Sequence, residues 1–231
     1  MKSQEIIKRL KSLSNKKNVE GIARFGINPE GTLGIPVTTL RKIAKEIGKG
    51  HELAQELWES GIHEARILAA LIDIPSEVTV KQAEIWLKGL DSWDVCDQLM
   101  MNLLDKTGFA FKKAAEWSKR KAEFEKRAGF ALMASLAVHD KKAGDSQFKL
   151  FFPLIIEAST DERNFVKKSV NWALRQIGKR NMVLNKKVIA VSNEIINKFP
   201  ESKSAKWIAK DALRELQDEI TIKRINEKEK G

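Results

Sequence analysis

The chain has 231 residues, with 42 lysines and arginines against 31 aspartates and glutamates, so its formal net charge is +11. A hydrophobic share of 42% is enough for a packed core and excludes a chain that is disordered by composition. The longest mostly apolar stretch, Phe130 to Val138, is interrupted by Ser135 and is far shorter than the roughly 20 residues that a membrane span needs. No apolar signal segment follows Met1, and the single cysteine, Cys96, allows no internal disulfide. We therefore expect an intracellular, cytoplasmic protein with a polyanionic partner and no membrane partner, the alternative being that the charge serves only solubility.

Apolar residues recur at steps of three and four along nearly the whole chain, which is typical of amphipathic helices. In chain order the clearest cases lie in 6–13, 53–57 and 67–72. Strand alternation and hairpin dipeptides are absent from the sequence. The pattern predicts an N-terminal helix over 1–14 and a charged, frayed tail over 219–231.

Helix starts are marked by short signals. Gly34-Ile35-Pro36 fits a loop that ends with proline in a helix's first turn. Thr79 with Gln82, and Ser159 with Glu162, have the spacing of the capping box, in which a side-chain oxygen and a residue three positions later satisfy unpaired amides. We predict helices that begin at Thr79 and at Ser159.

A basic start followed by an Ala-Leu pair recurs in the segments 126–132, 167–174 and 206–213, and 64–71 resembles an earlier copy. A period of about 40 residues with two helices per unit is typical of HEAT and armadillo repeats. We expect an all-α superhelical solenoid of HEAT-like helix pairs that forms a single domain over 1–231. A generic helical bundle is the alternative.

Positive charge is concentrated in two segments, 106–127 and 161–187, which together hold as much net charge as the whole chain. If both segments line one concave face, they form a track for phosphates. If they face opposite ways, the clustering has little meaning. The sequence leaves both arrangements open.

Most catalytic templates are missing. The sequence has no phosphate-binding glycine loop and no dinucleotide fingerprint. His51, His63 and His139 are scattered without companions at metal-ligand spacing, and Cys96 has no nearby histidine, so we expect no metal and no cofactor.

Tryptophans beside charged residues are the remaining candidates. Trp93 and Asp97 share one face of a helix that begins at Asp91 or Ser92, and Lys168, Trp172 and Arg175 share one face of a later helix. A tryptophan between cations suits a surface that contacts nucleic acid, because the ring stacks while the cations hold phosphates. We expect the other four tryptophans to lie in the core or in the seams between repeats: Trp58, Trp86, Trp117 and Trp207.

At these positions the chain resembles the AlkD-type DNA alkylation repair proteins, which are HEAT-like-repeat DNA glycosylases. The resemblance covers about residues 20 to 215 and keeps the order of the family's motifs. The matching stretches are 23–25, 34–36, 40–42, Ser92–Asp97, Lys126–Ala128 and Asn171–Arg175.

The resemblance implies roles for individual residues. Asp97 matches the family's catalytic aspartate, and Trp93 and Trp172 match its two tryptophans that contact the sugar of the lesion. Arg127 and Arg175 match positions near the DNA backbone, and Arg41 matches a basic residue that helps to hold the duplex. With Lys168 and Lys179, these arginines are the predicted DNA-binding residues. Phe25 stands where the family often has tyrosine, and Pro36 and Val37 replace polar residues.

The family excises cationic N3- and N7-alkylated purines from double-stranded DNA without flipping the base into a pocket. A cationic purine leaves without a general acid, so one carboxylate beside aromatic faces can suffice. The resemblance thus predicts a monomeric DNA-alkylpurine glycosylase, associated with the nucleoid when it acts on DNA. The alternatives are a non-catalytic HEAT-like module for damaged or branched DNA and a protein-binding scaffold.

Overall fold

The computed structural model describes residues 2–230, and within this range it shows fifteen α-helices and no β-strand. The all-α class predicted from the sequence is confirmed. The helices form two compact units, Met1–Gly108 and Phe109–Gly231. The single domain over 1–231 stays a prediction, and its end residues, Met1 and Gly231, lie outside the described range.

Unit 1 is built around its fifth helix, most of whose residues are buried. Its helices are α1 (Ser3–Ser12), α2 (Lys16–Ile22), α3 (Val37–Ile47), α4 (His51–Glu59), α5 (His63–Ile72), α6 (Val80–Lys88) and α7 (Trp93–Asn102). Helix α5 packs against α3, α4 and α7, and is apolar on most of its surface because nearly all of it is buried. Trp58 of α4 stacks on Trp86 of α6 with ring centroids 4.3 Å apart, which joins these two helices.

Unit 2 has two rows of helices. Its helices are α8 (Ala110–Trp117), α9 (Glu123–His139), α10 (Asp145–Lys149), α11 (Phe152–Ala158), α12 (Asn164–Gly178), α13 (Met182–Lys198), α14 (Lys203–Leu216) and α15 (Glu219–Lys230). Helix α12 packs between α9 and α14 in one row, while α8, α11 and α13 pack behind them. The three basic segments predicted as repeats, 126–132, 167–174 and 206–213, lie on α9, α12 and α14. The repeat pattern therefore identified the second helix of each HEAT-like pair.

Polar side chains tie each helix of this row to the next. The Arg127 guanidinium donates to the carbonyl of Phe165 at 2.7 Å, and the Asn171 amide donates to the carbonyl of Ile208 at 3.2 Å. At the C-terminal ends of α12 and α9, Arg180 donates to the carbonyl of Ala137 at 2.9 Å. Because the paired positions keep a similar sequence separation, α9, α12 and α14 run parallel and begin at the same end of unit 2.

Gly129 marks the closest approach of α8 and α9. A Cβ atom at this position would lie 2.3 Å from the amide nitrogen of Ser118. Alanine normally favours a helix over glycine by about 1 kcal/mol. We expect the reverse here: Gly129→Ala should lower the free energy of unfolding by about 1–3 kcal/mol, because the added methyl group overpacks the contact.

Chemical denaturation of Gly129→Ala beside Gly108→Ala measures this effect. Gly108 is the matched control, because a Cβ there would meet no atom within 4 Å. Equal stability changes for both variants would contradict the close approach.

The two predicted capping boxes have different outcomes. Thr79 does cap α6, because its hydroxyl accepts the amide of Gln82 at 3.1 Å. The start at Ser159 is wrong, because α12 begins at Asn164 and the Ser159 hydroxyl donates to the carbonyl of Ile156 at the end of α11. The sequence signal failed because α11 continues to Ala158 and uses the serine to end that helix.

The segment predicted as a frayed tail forms helix α15. Its Ile225 side chain is buried, and the Glu229 carboxylate accepts the amide of Met182 at 2.7 Å, at the start of α13. One buried apolar residue and one carboxylate at a helix N-terminus thus hold this segment against unit 2. Across the described residues, every helix is too short or too polar to cross a bilayer.

Candidate functional site

Helix α7 carries the candidate catalytic pair of unit 1. Trp93 and Asp97 lie one helical turn apart on the same face of α7, and both are half-buried. The Trp93 indole nitrogen donates to the carbonyl of Phe25 at 3.0 Å, which fixes the orientation of the ring. The ring of Phe25 itself is exposed, at 69% of its possible surface. The residue that replaces the family's tyrosine therefore contributes its backbone to the placement of Trp93.

A buried polar cluster fixes the first turn of α7. One oxygen of the Asp94 carboxylate forms a hydrogen bond of 2.8 Å with Nε2 of His63. Its other oxygen accepts the hydroxyl of Ser92 and the amide of Val95. Because one carboxylate joins α5 to the start of α7, the position of Trp93 is set by contacts that the sequence did not reveal.

The two members of this ion pair shift each other's titration. Burial by itself lowers the pKa of His63, but the hydrogen bond and charge of Asp94, with Glu64 and Asp91, outweigh burial and raise it above its ordinary value. Burial likewise opposes ionisation of Asp94, but His63, Ser92 and the Val95 amide lower its pKa below the ordinary value. Both groups are therefore charged over a wider pH range than they would be in the unfolded chain.

This pair predicts a pH dependence of stability. A raised folded-state pKa gives stability that is complete below the unfolded pKa of His63 and is lost as pH rises through the folded value. We expect the melting temperature of the wild type to fall from slightly acidic to alkaline pH more steeply than that of His63→Gln. Thermal melts of both proteins in one buffer series provide the measurement, and parallel curves would contradict the pair's contribution.

A second buried carboxylate holds the loop that leads into α3. Glu64 is buried, and its Oε1 accepts the amides of Leu33, Gly34 and Ile35 at 3.0, 2.7 and 3.1 Å. Gly34 has a φ of +76°, and a Cβ atom there would lie 2.5 Å from the carbonyl oxygen of Asn15. Only glycine fits at this position. The loop before α3 is therefore held by Glu64 and packs closely against the backbone of Asn15.

Arg41 of α3 is the predicted DNA-binding residue of unit 1. Its side chain is exposed, and its Nη2 lies 3.4 Å from Oε1 of Gln98, the residue after Asp97. The structure therefore brings Arg41 beside the face of α7 that carries Trp93 and Asp97. The roles that the resemblance implies for these three residues stay predictions.

Helix α12 carries the candidate residues of unit 2. Lys168 is exposed, and Trp172 and Arg175 are half-buried on the same side of the helix. With the Gln176 amide turned to satisfy both donors, its oxygen accepts the Trp172 indole and the Lys179 ammonium, each at 3.2 Å. The predicted shared face of α12 is confirmed, and it extends to Lys179.

Carboxylates of α14 accompany two of the predicted DNA-binding cations. Glu215 pairs with Arg175 at 2.6 Å and with Lys179 at 2.8 Å, and Asp211 lies 3.6 Å from Arg175. Burial opposes ionisation of Glu215, but Lys179 and Arg175 lower its pKa below the ordinary value. Both cations therefore face the surface as part of an ion-pair network, which reduces the charge they offer to a phosphate.

Arg127 occupies a different environment from an exposed phosphate ligand. It is only 5% exposed, and its guanidinium holds α9 against α12 through the carbonyl of Phe165. Lys126 pairs with Asp161 at 3.0 Å and so joins α9 to the loop before α12, where Arg163 pairs with the same carboxylate at 2.6 Å and donates to the carbonyl of Lys121 at 2.7 Å. Part of the positive charge counted in the sequence thus serves contacts inside unit 2.

Three of the four tryptophans predicted to be packed are buried: Trp58, Trp86 and Trp117. The prediction for Trp207 is wrong, because it is 42% exposed on α14 with the Lys167 ammonium 5.5 Å from its ring centroid. The seam between α12 and α14 is filled by Asn171 and Ile208, which leaves the neighbouring position at the edge. The lysines at 203, 206 and 210 were the sequence signal that could have identified an exposed ring.

A protein of known structure has a similar fold. A solved structure described as "A new family of proteins related to the HEAT-like repeat DNA glycosylases with affinity for branched DNA structures" matches with a TM-score of 0.75. The two sequences are 20% identical, and the match covers 84% of this chain and 83% of that one, which supports the fold. No curated protein matches the sequence. The model of the family described as DNA alkylation repair enzyme matches residues 6–216, and the chain therefore belongs to this family.

Proposed function

We propose that this protein binds double-stranded DNA and hydrolyses the N-glycosidic bond of N3- and N7-alkylated purines. The observation that carries the proposal is the start of α7. There Asp97 and Trp93 share one face, and Asp94 holds the helix against α5 through His63. A pre-positioned carboxylate is effective because it needs no reorganisation when positive charge develops. Family membership supports the same reaction class.

The chemistry requires little from the protein. An alkylated purine carries a positive charge, so the bond between C1′ and the base nitrogen breaks with its electron pair going to the base, which leaves as a neutral molecule. The sugar becomes oxocarbenium-like, and the Asp97 carboxylate stabilises it while the Trp93 ring covers the sugar. Water then adds at C1′, and its proton passes to the carboxylate or to solvent.

DNA binding draws on each unit separately. In unit 1, Arg41 supplies an exposed guanidinium next to α7. In unit 2, Lys168 and Trp172 supply a cation and an aromatic ring on α12, and Arg175 and Lys179 contribute through their network with Glu215. Arg127 contributes by holding α9 against α12. Phosphate contacts of this kind fix the duplex without reading its sequence.

A second candidate function is a non-catalytic module for branched DNA. It is favoured by the solved structure of similar fold, whose protein is described as having affinity for branched DNA. The two candidates differ in one measurement. A duplex with a single N7-methylguanine is incubated with the protein, and free base is quantified by chromatography. Release of the base supports the glycosylase, whereas binding without release supports the module.

Trp172→Ala tests the surface of unit 2. We expect the affinity for duplex DNA to fall about tenfold, because the ring is proposed to cover the sugar of a nucleotide and burying such an apolar side chain is worth about 1.5–3 kcal/mol. The melting temperature should change little because the ring is half-buried. Fluorescence anisotropy and thermal melts of Trp172→Ala and Trp172→Phe measure both quantities. If Trp172→Ala unfolds the protein as severely as Trp117→Ala, the ring belongs to the core and the proposal for it is wrong.

A further inference from the structure

The surface around Trp207 is used by neither candidate function. Trp207 lies on α14 with 42% of its surface exposed, and Lys167 of α12 places its ammonium over the ring. Lys203 and Lys210 stand four residues before and three after Trp207, so both lie on its side of α14, and Lys206 adjoins it. All three lysines of α14 are exposed. We refer to these five residues as the Trp207 platform.

Two lysines of the platform lie at helix positions where positive charge is unfavourable. The N-terminus of a helix carries partial positive charge, so cations in the first turn are unfavourable there. Helices α12 and α14 begin at the same end of unit 2, and neither has an acidic residue in its first turn. Lys167 and Lys203 nevertheless occupy these turns. Residues that oppose local stability in this way mark a surface kept for another purpose.

Two carboxylates close in sequence to the first turn of α12 have other partners. Glu162 accepts the amide of Ser204 at 3.0 Å at the start of α14. Asp161 pairs with Lys126 and Arg163, and although burial opposes its ionisation, these cations hold its pKa well below the usual range. Within residues 2–230, the four lysines of the platform make no ion pair with a carboxylate. The positive charge around Trp207 is therefore open to an external anion.

We propose that the Trp207 platform binds an unpaired nucleotide of a single-stranded DNA segment. The indole ring offers a flat apolar surface on which a base can stack, and the four lysines are placed for the phosphates on either side. Phosphates alone would suit a duplex equally well. The exposed ring distinguishes the two, because the base of a duplex is already stacked and paired, whereas an unpaired base has a free face. This inference rests on the proposed DNA binding and extends it to DNA with a single-stranded arm.

The test compares two DNA molecules of the same sequence, a blunt duplex and a forked duplex with one single-stranded arm. We expect Trp207→Ala to weaken binding of the fork about tenfold and to leave binding of the blunt duplex unchanged. Trp207→Phe should retain most of the affinity because it keeps an aromatic face. Leu150→Ala is the matched control, since Leu150 is a large apolar residue of unit 2 that is 73% exposed and lies outside the platform.

The outcomes separate this inference from the proposed function. Equal effects of Trp207→Ala on both DNA molecules, or no effect on either, would overturn the platform. Wild-type binding of the blunt duplex with no gain from the arm would overturn the platform alone and leave duplex binding intact. If the wild type binds neither molecule, the proposed function fails as well. Circular dichroism melts of each variant establish that the comparison is made between folded proteins.

Discussion

The Asp97→Asn substitution is expected to lower the rate of N7-methylguanine release by about 100- to 1,000-fold, the range found when one transition-state stabiliser is removed. Asparagine keeps the size of the side chain but removes the negative charge that opposes the developing cation on the sugar. Affinity for the same DNA should change by less than about threefold, because the charge acts on the transition state and little on the bound ground state. Single-turnover base release and anisotropy measure the two quantities independently.

The matched control for Asp97→Asn is Asp91→Asn. Asp91 is an exposed carboxylate before α7, where it accepts the Asn28 amide at 3.1 Å, so the same change of charge is made close to the helix but outside its Trp93 and Asp97 face. We expect Asp91→Asn to retain most of the activity. Full activity of Asp97→Asn would remove Asp97 from the reaction. Equal losses in both variants would indicate a general effect of charge on DNA binding.

The same mechanism predicts which base is released. With a carboxylate that stabilises the sugar and no acid assigned to protonate the base, the leaving group must already be cationic. Wild type should therefore release N7-methylguanine and leave unmodified guanine in the same duplex. Release of both bases would point to a general acid, which the proposed roles of Asp97 and Trp93 do not include.

The helical repeat could be predicted because it depends on periodicity. Small residues and leucines at fixed positions set how closely α9, α12 and α14 pack, and this pattern is visible along the chain. Trp93 with Asp97, and Lys168 with Trp172, could be placed together for the same reason, since residues three and four apart share a helix face. Local geometry was thus sufficient for the fold class and for the parts of the site that lie on one helix.

Contacts between helices could not be predicted in this way. Glu215 lies on α14, and only the packing of α14 against α12 brings it to Arg175 and Lys179. His63 and Asp94 likewise belong to different helices, and their pairing depends on α5 meeting the start of α7. Trp207 was misplaced because the spacing of a helix shows which residues share a side but not whether that side reaches the seam. These features required the tertiary arrangement of each unit.

Glu64 is the residue whose replacement should affect the fold most. It was visible in the sequence only as part of an early repeat copy, yet its carboxylate accepts three consecutive loop amides. Glu64→Ala leaves these amides of Leu33, Gly34 and Ile35 without an acceptor, and each unsatisfied buried group costs about 1–3 kcal/mol. We expect the free energy of unfolding to fall by more than about 4 kcal/mol, as measured by chemical denaturation.

Glu64→Gln separates the hydrogen bonds from the charge. The amide oxygen of glutamine can take the place of Oε1, which accepts all three amides, whereas Oε2 receives only a second contact from Leu33 at 2.8 Å. This variant should therefore lose less than about half as much stability as Glu64→Ala. It should also keep its affinity for duplex DNA, because the loop still delivers Arg41 on α3 to its place beside Gln98. If Glu64→Gln is as unstable as Glu64→Ala, the negative charge itself holds the loop, and the three hydrogen bonds to Oε1 are not its main support.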